Sequence, residues 1–137
     1  MPALSVWMVR TALIHLAVGV LLGALLLANR GIPIHPLVPR FLPLHAELLL
    51  LGWTVQLAFG VAFWILPRYR SGAARGSELL GWLCYALLNI GVLAVGVGAI
   101  TGRTGMPLLG RMAEGFAALA FAGHAWGRVR PFGFAGP

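Results

Sequence analysis

An arginine, a proline, a histidine and a glutamate stand together in Arg40-Phe41-Leu42-Pro43-Leu44-His45-Ala46-Glu47, at the mouth of an apolar run. That run, residues 44–66, has Glu47 as its only charged residue and ends in Pro67 and Arg68. An imidazole can bind a metal or carry a proton, and a carboxylate can pair with either. Both are expensive beside hydrocarbon, so ionisable groups placed there mark a site by default. Steps of three, four and seven residues from His45 reach Leu49, Gly52, Gln56, Phe59 and Phe63, which places Gly52 two turns along on the same face. A porphyrin needs a ligating nitrogen beside a surface without bulky side chains, and His45 with Gly52 offers that combination. The alternative is a histidine within a turn of the headgroups, bonded to water or to a loop carbonyl.

The elements that hold these residues are set by composition. Of 137 residues, 60% are hydrophobic, and the charges are ten arginines and three glutamates, with neither lysine nor aspartate. A soluble domain needs far more polar surface. Four apolar segments emerge, residues 8–28, 44–66, 79–100 and 108–126. Each reaches the roughly 20 residues with which a helix crosses about 30 Å of hydrocarbon. The expectation is an all-α membrane protein, an antiparallel four-transmembrane-helix bundle in contact with lipid, forming one domain over residues 1–137.

The connections fit that reading. Residues 29–43 contain four prolines and cannot be helical throughout. Residues 67–77 and 101–107 are short and contain glycine, which favours antiparallel neighbours. The tail, residues 128–137, is rich in proline and glycine and is expected not to span. The net charge of +7 would suit nucleic acid, but the arginines lie at helix ends and in connections, where they meet headgroups. No nucleic-acid partner is therefore expected. Arg10, Arg68, Arg70, Arg75, Arg128 and Arg130 face one side, against Arg30, Arg40, Arg103 and Arg111 on the other. This majority places both termini in the cytoplasm, in a cell inner membrane. The first segment is longer than the core of about 7–15 residues of a cleaved signal, so it is expected to remain as a span. Cys84, the only cysteine, excludes an intrachain disulfide.

Arg40, Pro43-Leu44-His45, Gly52-Trp53, Phe59-Gly60-Val61-Ala62 and Leu66-Pro67-Arg68 together resemble the second transmembrane helix of heme-copper oxidase subunit I. The likeness is greatest to the cbb type and its small relatives, over about 30 residues, and the later helices are only weakly similar. The resemblance implies a fold like one arc of subunit I, with His45 as an axial ligand of a low-spin heme, here heme b. It implies electron transfer or another respiratory-chain role. The pattern also departs from the family. These residues include no histidine cluster for a copper site, so oxygen reduction by this chain alone is not expected, no catalytic residue is assigned, and a heme half-site remains. Subunit I is built from three such arcs, and by that analogy copies of the chain form a homo-oligomer, a trimer being favoured, or join respiratory-complex subunits. Two other readings stay open, a heme-free structural or assembly subunit and a heme-based sensor of a small gas.

The remaining polar residues rank below His45. His124 lies roughly 25 Å from His45 along the membrane normal and cannot share its iron. His15 shares a face with Gly19, Leu22, Gly23 and Leu26, and a second heme between His15 and His124 is the weaker alternative to hydrogen bonding. Met106 and Met112 are candidate sixth ligands or apolar filler. Glu47 is a candidate to pair with a heme propionate partner, a metal or a proton path, while Arg111 and Glu114, three apart, suit an ion pair. His35 is expected to be solvated, and Gln56 and Asn89 to make interhelical hydrogen bonds. The glycine pairs 19/23, 98/102 and 123/127 suit close helix packing, the alternative being room for a flat cofactor.

Overall fold

The computed structural model describes residues 1–68 and 77–129, and these are helical throughout apart from short connections, with no strand among them. The loop expected over residues 67–77 and the tail 128–137 fall largely outside the described residues, as do Arg70, Arg75 and Arg130. Four long helices follow in order. Helix α1 is Ala3–Gly31, and α2 runs over Val38–Ile65. Helix α3 is Glu78–Thr101 and α4 is Gly105–Trp126. The first three are long and apolar enough to cross a membrane. Arg111, Glu114 and His124 make α4 more polar, although its 22 residues reach about 33 Å.

Helix α1 begins five residues before the apolar run that announces it. Leu4 and Ser5 already lie in the packed interior of the fold, so packing rather than hydropathy sets its start. Helix α2 begins inside the proline-rich connection. A 3-10 turn, Val38–Phe41, carries Pro39, and Pro43 follows at the start of the α-helical turn Leu42–Glu47. Both prolines sit in first turns, where a missing N–H breaks no intrahelical bond. Residues Leu48–Val55 then form a π-helix before α-geometry resumes over Gln56–Ile65. Ser77 caps α3, its Oγ accepting from the Leu80 N–H at 3.5 Å. The far end of α3 closes on Gly102, whose φ of 71° suits a residue without Cβ, and Arg103 N–H returns to Gly98 C=O at 3.1 Å.

Glycines set the helix contacts. A Cβ on Gly91 would lie 2.9 Å from Gly110 O, and one on Gly110 would lie 2.8 Å from Gly91 O, so the backbones of α3 and α4 touch there. Gly98 faces Met106 and Pro107, whereas Gly102 and Gly123 face open space, so only part of the glycine pairing expected from sequence is used. Leu4, Met8, Phe63, Cys84, Leu88 and Ala117 form the core, drawn from all four helices. Large apolar side chains such as Leu13, Ile14, Leu21 and Leu27 on α1 and Leu108, Leu109, Phe116 and Leu119 on α4 point outward. Such a surface suits lipid rather than water.

Candidate functional site

His45, Leu49, Gly52 and Gln56 do share one face of α2, and α1 covers it. The His45 ring lies against Gly23, where a Cβ would come within 2.7 Å of Cε1. Leu49 packs on Gly19. Further along, Gln56 Nε2 donates to Met8 O at 3.2 Å, and Ser5 Oγ donates to Gly60 O at 2.6 Å. The interhelical bond expected of Gln56 is present. Asn89 differs, because its amide donates at 2.7 Å to Tyr85 O on its own helix.

Gly52 does make room for a flat ring, and that ring is His15. A Cβ at Gly52 would lie 2.6 Å from His15 Nδ1 and 3.1 Å from His15 Cβ. The surface beside Gly52 is thus filled from α1 and holds no room for a second flat group. His15 is buried, and its Nδ1 makes no hydrogen bond. Replacing Gly52 by leucine should therefore expel the His15 ring and lower stability by about 2 kcal/mol, as overpacking does. A denaturant titration in mixed micelles measures it, with Gly115→Leu, where nothing lies within 4 Å of a Cβ, as the control.

The π-helix was not legible in the residues. Its widened turn centres on Gly52, and Thr54 Oγ1 donates to Leu49 O at 2.9 Å within it. Short π segments inside α-helices frequently occur at functional sites. Here it lies between His45 and Gln56, on the stretch that seats His15.

The hydrogen bonding of His45 defines its chemistry. Its Nδ1 lies 2.8 Å from Gly19 O. A carbonyl can only accept, so Nδ1 carries a hydrogen, and in the neutral ring the lone pair is then on Nε2. This is the arrangement by which a ligating imidazole is usually oriented. Beside the ring, between the C-terminal end of α1 and the N-terminal end of α2, a cavity of about 260 Å³ is lined by Gly23, Leu26, Asn29, Arg30, Leu42 and His45, with Leu27 and Pro39. Its walls are mainly apolar, with Asn29, Arg30 and His45 as the polar side chains, the usual composition of a small-molecule site.

Glu47 turns away from this cavity. It is buried, and both its oxygens accept from Arg111, Oε2 from Nη1 at 3.1 Å and Oε1 from Nη2. The expected pair of Arg111 with Glu114 is also present, at 2.9 Å. Glu114 is buried too, and its Oε1 has no partner. One guanidinium therefore ties α2 to α4 through two carboxylates. Glu47 thereby serves this junction, and neither Met106 nor Met112 lines the cavity.

His124 sits at the opposite end of α2. Its ring stacks on Phe63 at 4.8 Å, Nδ1 donates to Ser77 O at 3.1 Å, and Nε2 accepts from Arg128 Nη1 at 2.8 Å. Both nitrogens are engaged, as the hydrogen-bonding alternative requires. His15 lies at the level of Gly52 and His124 at the level of Phe63, about 16 Å apart along α2, so the structure does not bring them together. His35 is exposed, with its Nδ1 accepting from the Leu37 N–H at 3.2 Å. Among the described residues no three His, Cys, Asp or Glu side chains gather as a metal centre. Compared with known proteins, the chain matches no family model, no curated protein and no solved structure.

Proposed function

We propose that this protein binds heme b through His45 and serves electron transfer or a related respiratory role, as a four-span antiparallel bundle similar to one arc of heme-copper oxidase subunit I. The observation that carries the reading is the bond from His45 Nδ1 to Gly19 O beside an apolar cavity, which leaves Nε2 as a ligand. The contact order supports the topology. Met8, His15 and Gly23 of α1 meet Gly60, Gly52 and His45 of α2 in reverse order, and Gly91 and Gly98 of α3 meet Gly110 and Pro107 of α4 likewise. Both termini lie in the cytoplasm and the connection between α1 and α2 lies outside, in an inner membrane.

The fit is to a half-site. His45 would hold the iron, and bound heme would supply one-electron chemistry. The cavity is smaller than the roughly 300–1,000 Å³ of an ordinary ligand site. A second copy of the chain, or a respiratory-complex subunit, would complete it and bring the second axial ligand. Within this chain, the residues available do one thing each: Gly23 seats the imidazole, Gly19 fixes its tautomer, and the leucines exclude water.

The visible spectrum of the purified protein tests the reading. A Soret band with sharp reduced bands is expected in the wild type, and His45→Ala should lose it while His124→Ala keeps it. A band that survives His45→Ala refutes the assignment, and a shift with carbon monoxide identifies gas binding at an open sixth position. A second reading, a heme-free packing subunit, is favoured by the same glycine seats, since His45 and His15 each fill a notch on the neighbouring helix. It predicts no Soret band and no change of spectrum in any variant.

A further inference from the structure

We propose that Arg30 is the acid-binding residue of the cavity between α1 and α2, its guanidinium taking a carboxylate of the occupant. The inference rests on the heme reading above, in which that carboxylate is a propionate. Arg30 lies in the last turn of α1 and lines the cavity together with His45. It makes no ion pair among the described residues, and Glu47, the nearest carboxylate in sequence to His45, is held at both oxygens by Arg111. No acidic side chain lines the cavity. Asn29, the neighbouring polar group, already spends its Oδ1 on the N–H groups of Ile34 and His35, at 2.8 and 3.0 Å. Those bonds leave the Asn29 amide N–H groups as neutral donors beside Arg30, which is the one cation lining this end of the cavity.

The spacing fits a single occupant. Gly23, which seats the His45 ring, and Arg30 are seven residues apart on α1, two turns and about 10 Å, on one face. A porphyrin reaches a similar distance from its centre to the end of a propionate. Between them Leu26 and Leu27 supply the apolar wall that the ring requires. Guanidinium also matches a carboxylate with two parallel donors, which lysine cannot do. The same chemistry would attract the phosphate of a lipid headgroup, so the test has to separate the two sources.

The experiment titrates the apoprotein, in nanodiscs of zwitterionic phospholipid, with hemin and with hemin dimethyl ester, whose propionates carry no charge. The wild type is expected to bind hemin roughly tenfold to a hundredfold more tightly than the ester, the size of one charge-assisted hydrogen bond. Arg30→Gln should bring that ratio close to unity while leaving affinity for the ester unchanged, which also shows that the variant is folded. A hemin-to-ester ratio that is the same in wild type and Arg30→Gln means an arginine engaged only by headgroups or water, and overturns the proposal. The two failures are separate. His45→Ala binding hemin as tightly as the wild type sinks the ligand assignment, whatever Arg30 does. A wild type that binds neither porphyrin overturns both.

Discussion

Replacing Arg128 by methionine should cost the fold about 3 kcal/mol or more and release the end of α2 from α4. Arg128 is 1% exposed, with its guanidinium 5.6 Å above the centre of the Phe63 ring. Nε donates to Pro67 O at 3.0 Å, and Nη2 donates to Phe63 O at 3.1 Å and Leu66 O at 2.8 Å. These carbonyls belong to the last turn of α2 and the two residues that follow it, where no intrahelical N–H is available. A methionine fills similar volume but leaves all three, and His124 Nε2, without this donor. Each buried acceptor left unmatched costs about 1–3 kcal/mol, and removing one member of a buried charged network is among the larger single-residue effects. Lysine should recover little, because one ammonium cannot reproduce a fork that reaches three carbonyls. A denaturant titration in mixed micelles reads the effect. A loss below about 1 kcal/mol for Arg128→Met would mean that water replaces the guanidinium there.

The four helices were legible because each apolar segment runs on for about 20 residues, the length at which a helix satisfies its own backbone across hydrocarbon. Residues 44–66 and 79–100 foretold α2 and α3 to within a few residues at their C-terminal ends. The start of α1 was not legible, because the polar Ser5 interrupts the apolar residues ahead of Met8, yet its hydroxyl bonds Gly60 O in the interior. The π-helix was hidden for a different reason. Leu48–Val55 differs from an α-helical stretch in its hydrogen-bond register, and register leaves no mark on hydrophobic period.

The site was legible in part. The 3.6-residue period correctly set His45, Gly52 and Gln56 on one face, but a period cannot say which neighbour covers that face. The size of the notch at Gly52 pointed to a flat ring, and His15, four residues before Gly19, was the ring that α1 could supply. Arg128 was hidden in a tail that reads as solvated. One signal was available: His124 and Arg128 are four apart, a spacing that stacks side chains on a helix face, and here carries that contact just past the end of α4. Glu47 and Arg111 are 64 residues apart, and nothing in either segment names the other as its partner.

That long-range pair supports the last prediction. Replacing Arg111 by methionine should destabilise the junction of α2, α3 and α4 by about 3–5 kcal/mol, the usual result of leaving buried charge unpaired. Glu47 and Glu114 have side chains only 6% and 8% exposed, and they face each other across one guanidinium. Glu114 also packs on Gly91, where a Cβ would come 2.6 Å from its Cγ, so its carboxylate cannot swing outward without parting α3 from α4. Arg111 itself is 55% exposed, so its own burial contributes little and the loss comes from the carboxylates it leaves behind. That attribution has a direct check. If it is right, adding Glu47→Gln and Glu114→Gln to Arg111→Met should restore most of the stability, because two amides need no cation. Each glutamine substitution in the wild-type background should cost far less than Arg111→Met. A triple variant as unstable as Arg111→Met alone would place the effect in the lost packing of the arginine stem rather than in its charge.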